Sequence, residues 1–209
     1  IEDKLINAIK SITYKQSNIN LNLLSEILSI PVFSDLESSI NNIDPQELYK
    51  ISEDLYYKFA NKLKINLNNK LADIEKDIYK RWPKGKDERK LIERIWKLLL
   101  YTNDSNLRQK LITYIDTDNM TLSKSVLNVY QNFNFSEREI VSKKFFNKWS
   151  KNSIVLDSWF AFRASIEIEN YIENLENLFK HKYFDNKSPN TLRSILNSFV
   201  SNNRFFHDK

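Results

Sequence analysis

Apolar residues recur at three- and four-residue intervals along most of the chain, the spacing that turns one stripe of a helix toward a core. The clearest run is Leu48, Ile51, Leu55, Phe59 and Leu63, continued by Leu67, Leu71, Ile74 and Ile78. Asp44-Pro45-Gln46-Glu47 opens it: Asp44 suits the N-cap, Pro45 the first helical position, and Glu47 the return bond of a capping box. Trp82-Pro83 closes it, because proline lacks the N–H that the helical ladder needs. This stretch therefore reads as one long helix or two in line.

The same pattern predicts helices from Lys4 to Ile12 and from Leu21 to Ser29, a pair ended by Pro31, with a short turn or helix from Asp35 to Ile40. A helix starting at Asp87 buries Leu91, Ile95, Leu98 and Leu99 and runs through Tyr101, ended by Asn103 and Asp104. Leu107 to Ile115 and Thr121 to Tyr130 follow. Ser136-Glu137-Arg138-Glu139 spells a second capping box, opening a helix through Ile140, Phe145, Phe146 and Trp149. Ser153 to Ser165, Glu169 to Phe179 and Pro189 to Val200 complete roughly ten helices with no strand. Short helices joined by polar turns pack on their sequence neighbours. The expected fold class is all-α, a single helical domain over residues 1–209 built as an alpha-alpha superhelix of armadillo or HEAT-like helix pairs. No strict internal sequence repeat is present, so any repeat is structural.

Composition sharpens this picture. One Gly and four Pro leave little of the turn chemistry that all-β folds use. The chain has no Cys, which rules out disulfides and thiolate zinc sites and fits a reducing, cytoplasmic setting. No apolar run reaches the ~18 residues of a membrane span. The start Ile1-Glu2-Asp3-Lys4-Leu5 has neither an initiating Met nor a signal-peptide pattern, as expected for an excised piece. The net charge of +5 raises the question of nucleic acid. However, the densest basic stretch, Lys80-Arg81-Trp82-Pro83-Lys84-Gly85-Lys86, runs straight into Asp87 and Glu88 and reads as a solvated loop, so no nucleic-acid partner is expected.

Candidate chemistry is sparse. His181 and His207 are the only histidines and neither has a second His at helical spacing, so no self-contained metal site and no cofactor are expected in this chain. A single Gly cannot build a phosphate-binding loop. Of the clustered carboxylates Glu167, Glu169, Glu173 and Glu176, the last three share a helix edge opposite Ile172, Leu175 and Phe179, as a solvated face does. Phe145, Phe146, Trp149, Trp159, Phe160 and Phe162 span two successive helices and read as core rather than as a base-stacking surface.

Three stretches carry a resemblance. They are Asp118-Asn119-Met120-Thr121, then Lys148-Trp149-x-x-Asn152-x-x-Val155-x-Asp157-x-Trp159-Phe160, then Ser188-Pro189-Asn190-Thr191-Leu192-Arg193-Ser194, followed by Phe206-His207. In order and spacing they resemble the aminopeptidase N family of zinc metallopeptidases, in the C-terminal helical domain. The similarity is densest from Asp116 to His207 and thinner before it, where Ile43-Asp44-Pro45, Arg89 and Leu91 fall in register. Ile92-Glu93 departs from the basic residue and Asn of many relatives.

The resemblance implies a parent enzyme that removes N-terminal residues from peptides, using zinc held by a His-Glu-x-x-His helix and a distant Glu in an upstream catalytic domain. This chain would then be the non-catalytic wall and gate of the active-site cavity, with that upstream domain and short peptide substrates as its partners. The resemblance also implies one substrate-binding residue, Arg193, whose guanidinium would pair with a peptide carboxylate. Two other readings are a free-standing helical-repeat scaffold for a protein or peptide partner and, on basicity alone, a nucleic-acid module.

Overall fold

In a computed structural model of the protein, the described residues are 2–15, 19–29, 44–79, 85–166, 169–202 and 206. They form ten α-helices: α1 (Glu2–Lys15), α2 (Leu21–Ile27), α3 (Pro45–Ile74), α4 (Lys86–Leu100), α5 (Ser105–Tyr114), α6 (Met120–Val129), α7 (Glu137–Trp149), α8 (Ser153–Ser165), α9 (Tyr171–Phe179) and α10 (Pro189–Val200). There is no strand among the described residues, so the all-α expectation is met. Pro31, the turn expected from Asp35 to Ile40, Trp82-Pro83 and His207 lie outside the described residues. The helices fall into two compact units, Ile1–Arg108 and Gln109–Lys209.

In the first unit the long periodic run is a single helix, α3, which at 30 residues spans about 45 Å. It ends in a 3-10 turn at Glu75–Asp77. Asp44 caps it, accepting from the Gln46 N–H at 2.8 Å, with Pro45 at its first position. The buried stripe differs from the sequence pattern at the start. Leu48, Ser52 and Tyr56 face inward, whereas Ile51 is 50% exposed. The reason is an aromatic and polar contact that periodicity cannot register: Tyr56 stacks on Tyr101 at 5.2 Å, and the Tyr101 hydroxyl donates to Glu53 at 2.8 Å. From Phe59 to Ile74 the expected stripe holds, and Phe59, Leu63 and Leu67 are buried.

Helix α4 packs on both α2 and α3, so it is buried on more than one side through Leu91, Ile92, Ile95, Trp96 and Leu99. Its start uses the only Gly in the sequence: Gly85 takes the left-handed conformation, φ 74, before the first helical residue. Arg89, itself buried, donates to the Ile78 carbonyl at 3.1 Å and so satisfies an acceptor at the end of α3. Asn103 and Asp104 divide the labour at the next turn. Asn103 closes α4 at φ 55, while Asp104 caps α5 by accepting from the N–H groups of Asn106 and Leu107. Those bonds, the Leu107 one foremost, hold the Asp104 carboxyl below the usual carboxylate range.

The second unit is organised around α8, which contacts α6, α7, α9 and α10. Its Val155, Leu156, Phe160, Phe162 and Ala164 are buried, the distribution expected of a helix with neighbours on several sides. The capping box read at Ser136 is not formed. Ser136 has helical backbone angles and its hydroxyl turns to Glu137, while Glu139 is engaged across the fold, accepting two bonds from Arg163 at 2.8 Å each. One guanidinium nitrogen thus bridges both carboxylate oxygens, and this charge-assisted pairing replaces the local return bond. Removing core volume tests this packing. Leu67→Ala and Phe160→Ala should each cost about 2–5 kcal/mol in urea unfolding, whereas Ile65→Ala, at a position 77% exposed, should change stability by less than about 0.5 kcal/mol.

Candidate functional site

The residues that carry chemistry in the second unit converge on the start of α10. Ser188 caps the helix by accepting from the Thr191 N–H at 3.4 Å, and Pro189 occupies the first position, where its missing N–H costs nothing. The Thr191 hydroxyl donates to Asp157 on α8 at 2.7 Å, and the Ser194 hydroxyl donates back to the Thr191 carbonyl at 2.7 Å. Ile195, fully buried, joins the core made by Leu156, Phe160, Tyr171, Leu175 and Leu178. These contacts fix which way α10 is rotated. Thr191 and Ile195 point inward, and Arg193 is left exposed to solvent. No hydrogen bond or ion pair to another described residue ties its guanidinium down.

Beside this contact lies a groove of about 280 Å³ lined by three helices. Lys124 and Asn128 come from α6, Ser158 and Ala161 from α8, and Ser194 and Ser198 from α10, with Asp157 on the same wall. The small side chains on α8 and α10 leave the space open. Arg193 is not among the lining residues, so the structure does not bring the one sequence-derived site residue into the groove; the cation there is Lys124. Periodicity alone could not find this site, because its residues are scattered over three segments. The available signal is the pair of i, i+4 polar couples, Lys124/Asn128 and Ser194/Ser198.

His181 sits among rings. Its imidazole lies 5.2 Å from Trp159, 5.5 Å from Phe146 and 5.6 Å from Phe160, and its Nδ1 accepts from the Tyr183 N–H at 3.3 Å. Trp159 is itself fixed, donating from its indole to Ser142 at 3.0 Å. Among the described residues no group of three or more His, Cys, Asp or Glu side chains is placed to share a metal ion. The residues described do not fit a zinc centre. Of the aromatic group of the sequence reading, Phe145, Phe160 and Phe162 are buried, Phe146 and Trp159 pack against the core cluster that contains Phe160, and Trp149 is half-buried.

The residues behind the family resemblance turn out to be structural joints. Asn119 caps α6 and Asn152 caps α8, accepting from Leu122 and Val155 N–H groups at 3.1 and 3.3 Å. Lys148 pairs with Asp118 at 3.0 Å, joining the end of α7 to the turn before α6. Asp157 and Thr191 join α8 to α10 as described.

Comparison with known proteins agrees with this framework. The family model described as "Domain of unknown function (DUF3458_C) ARM repeats" matches residues 1–209. The chain belongs to that family. It is 28% identical over 191 residues to an aminopeptidase N of Haemophilus influenzae, covering 90% of this chain and 22% of that protein. It is also 24% identical over 191 residues to an aminopeptidase N of Escherichia coli, covering 87% of this chain and 21% of that protein. The chain thus spans about a fifth of these curated relatives. A solved structure of Legionella pneumophila aminopeptidase A in complex with aspartic acid superposes with a TM-score of 0.81 at 22% identity, over 99% of this chain and 27% of that one, which establishes the shared fold. The armadillo-type expectation is met.

Burial first, and the charge of Lys182 second, hold the His181 imidazole below its ordinary value of 6.5. An unfolded chain takes up that proton near 6.5 and the folded one resists it, so the stabilisation is complete above 6.5 and drains away as pH falls below it. The thermal midpoint of the native sequence should therefore drop more between about pH 7.5 and pH 5 than that of His181→Phe; parallel pH curves for the two would contradict this.

Proposed function

We propose that this chain is the non-catalytic C-terminal helical domain of a zinc aminopeptidase of the aminopeptidase N type, both units acting as one domain over residues 1–209. In this reading it caps an upstream catalytic domain that holds the zinc, walls off the active-site cavity, and controls which peptides enter. The observation that carries it is the match of the whole chain to an ARM-repeat family together with two aminopeptidase N relatives that cover about nine-tenths of it. The lack of Cys supports a cytoplasmic setting.

Within this role Arg193 is the residue that contacts substrate. Its exposure on α10, with the rest of that turn locked by Thr191 and Ser194, leaves a planar cation facing outward on a rigid base. A peptide carboxylate pairs with it bidentately. In the intact enzyme, Arg193→Ala should raise KM for short peptides about three- to tenfold with kcat little changed, and Arg193→Lys should recover only part of the loss. Unchanged peptide kinetics would reject the role. The isolated chain, assayed with added zinc against an alanyl amide substrate, should release no product.

A further inference from the structure

The groove between α6, α8 and α10 has no role in the resemblance, and its chemistry is specific enough to read. We infer that it is a second peptide subsite, one that takes the carboxyl end of a short extended peptide, with Lys124 as the charge that recognises it. This rests on the reading of the chain as part of a peptidase, and it concerns different residues from Arg193.

Size comes first. At about 280 Å³ the groove falls just below the ~300 Å³ at which pockets begin to enclose a whole small ligand. It therefore accommodates the end of a chain, not a folded or bulky molecule. Lining comes second. Ser158 and Ser198 offer hydroxyl groups that both donate and accept, the complement of a peptide backbone, whose N–H and C=O groups each need a partner.

Charge decides the orientation. Asp157 also faces the groove; one of its oxygens accepts from Thr191 at 2.7 Å, which holds it on the α8–α10 wall, and Lys124 is the cation of the lining. Lys124 is exposed at the rim and no described residue pairs with it. Its three donors are open to a carboxylate. Ser194 is partly committed as well, since its hydroxyl donates to Thr191, which leaves its lone pairs for a peptide N–H. Rigid seating follows from the same bonds: the walls on α8 and α10 are locked to each other, so little ordering entropy is lost when a peptide enters.

The test is a titration of the 209-residue chain with tetraalanine and with tetraalanine amide, followed by backbone amide chemical shifts. The free acid should give saturable shifts centred on Lys124, Ser158, Ser194 and Ser198. The amide should bind about two- to fivefold more weakly, the range an exposed ion pair supplies. Lys124→Gln should bring the free acid down to the level of the amide and leave the amide unchanged. Ser198→Leu, which fills the groove, should abolish both sets of shifts; an unchanged thermal midpoint would show that the variant still folds. Shifts elsewhere, equal binding of acid and amide, or a neutral Lys124→Gln would overturn the proposal. Arg193 is untouched in every arm, so a failure here leaves the Arg193 kinetics to stand or fall separately.

Discussion

Helix α8 is the constraint on which the second unit depends. Four helices lean on it, and a thirteen-residue helix in that position has few directions left in which to place a polar group. Asp157 is one of the polar groups it does place, and Thr191 supplies it with a donor at 2.7 Å. The consequence is rotational. Once Asp157 and Thr191 must meet, α10 has one available setting, and that setting decides that Ile195 is buried, that Ser194 and Ser198 face a groove, and that Arg193 faces solvent. That hydrogen bond, worth about 1 kcal/mol in net stability, and the burial of Ile195 together set the rotation of α10.

The first unit solves a different problem. Its long helix α3 packs against α1 and α4, and it uses polar contacts to reset its buried face partway along. The Tyr56 and Tyr101 rings stack nearly parallel, 7° apart, with the Tyr101 hydroxyl on Glu53. Burial foremost, with the Glu53 charge beside it, holds the Tyr101 phenol protonated well above its ordinary value, so it remains a donor across the accessible pH range. Lys97 lies 5.4 Å from the Tyr56 ring, and burial draws its ammonium below the usual lysine range. The exposed ion pairs that join helices at the surface, Lys62 with Asp3 and Lys90 with Glu26, are screened by solvent and trim the arrangement without setting it.

How much of this was legible depended on whether the physics was local. The helix start read from its side-chain cap, Asp44, lies within four residues of sequence, and the structure keeps it. The Ser136 box satisfied the same local rule and lost, because Glu139 had a partner 24 positions away that no local pattern reveals. The first turns of α3 went the same way, since Tyr101 lies 45 residues beyond Tyr56. Long apolar stripes survive such competition, because many residues would have to shift at once. The groove lay beyond reach for a related reason: Ser158, Ala161, Ser194 and Ser198 carry no signal singly, and what they form is the absence of side-chain volume between two helices.

The motifs that pointed to the family deserve the same physical scrutiny. Asn119, Asn152 and Ser188 are caps, Asp118 and Lys148 a surface pair, and Asp157, Thr191 and Trp159 cross-helix hydrogen bonds. Each occupies a position where one or two residue types satisfy a backbone or buried polar group and others leave it bare. Similarity carried by such positions reports a shared framework, and a framework can be kept while its surface is put to new use. Arg193 differs from Ser188, Thr191 and Ser194 of its segment, which are fixed by hydrogen bonds. It makes no hydrogen bond or ion pair with another described residue, so nothing in the packing calls for a guanidinium at that position. An exposed guanidinium on a turn whose neighbours are fixed is what the proposed carboxylate-binding role of Arg193 requires.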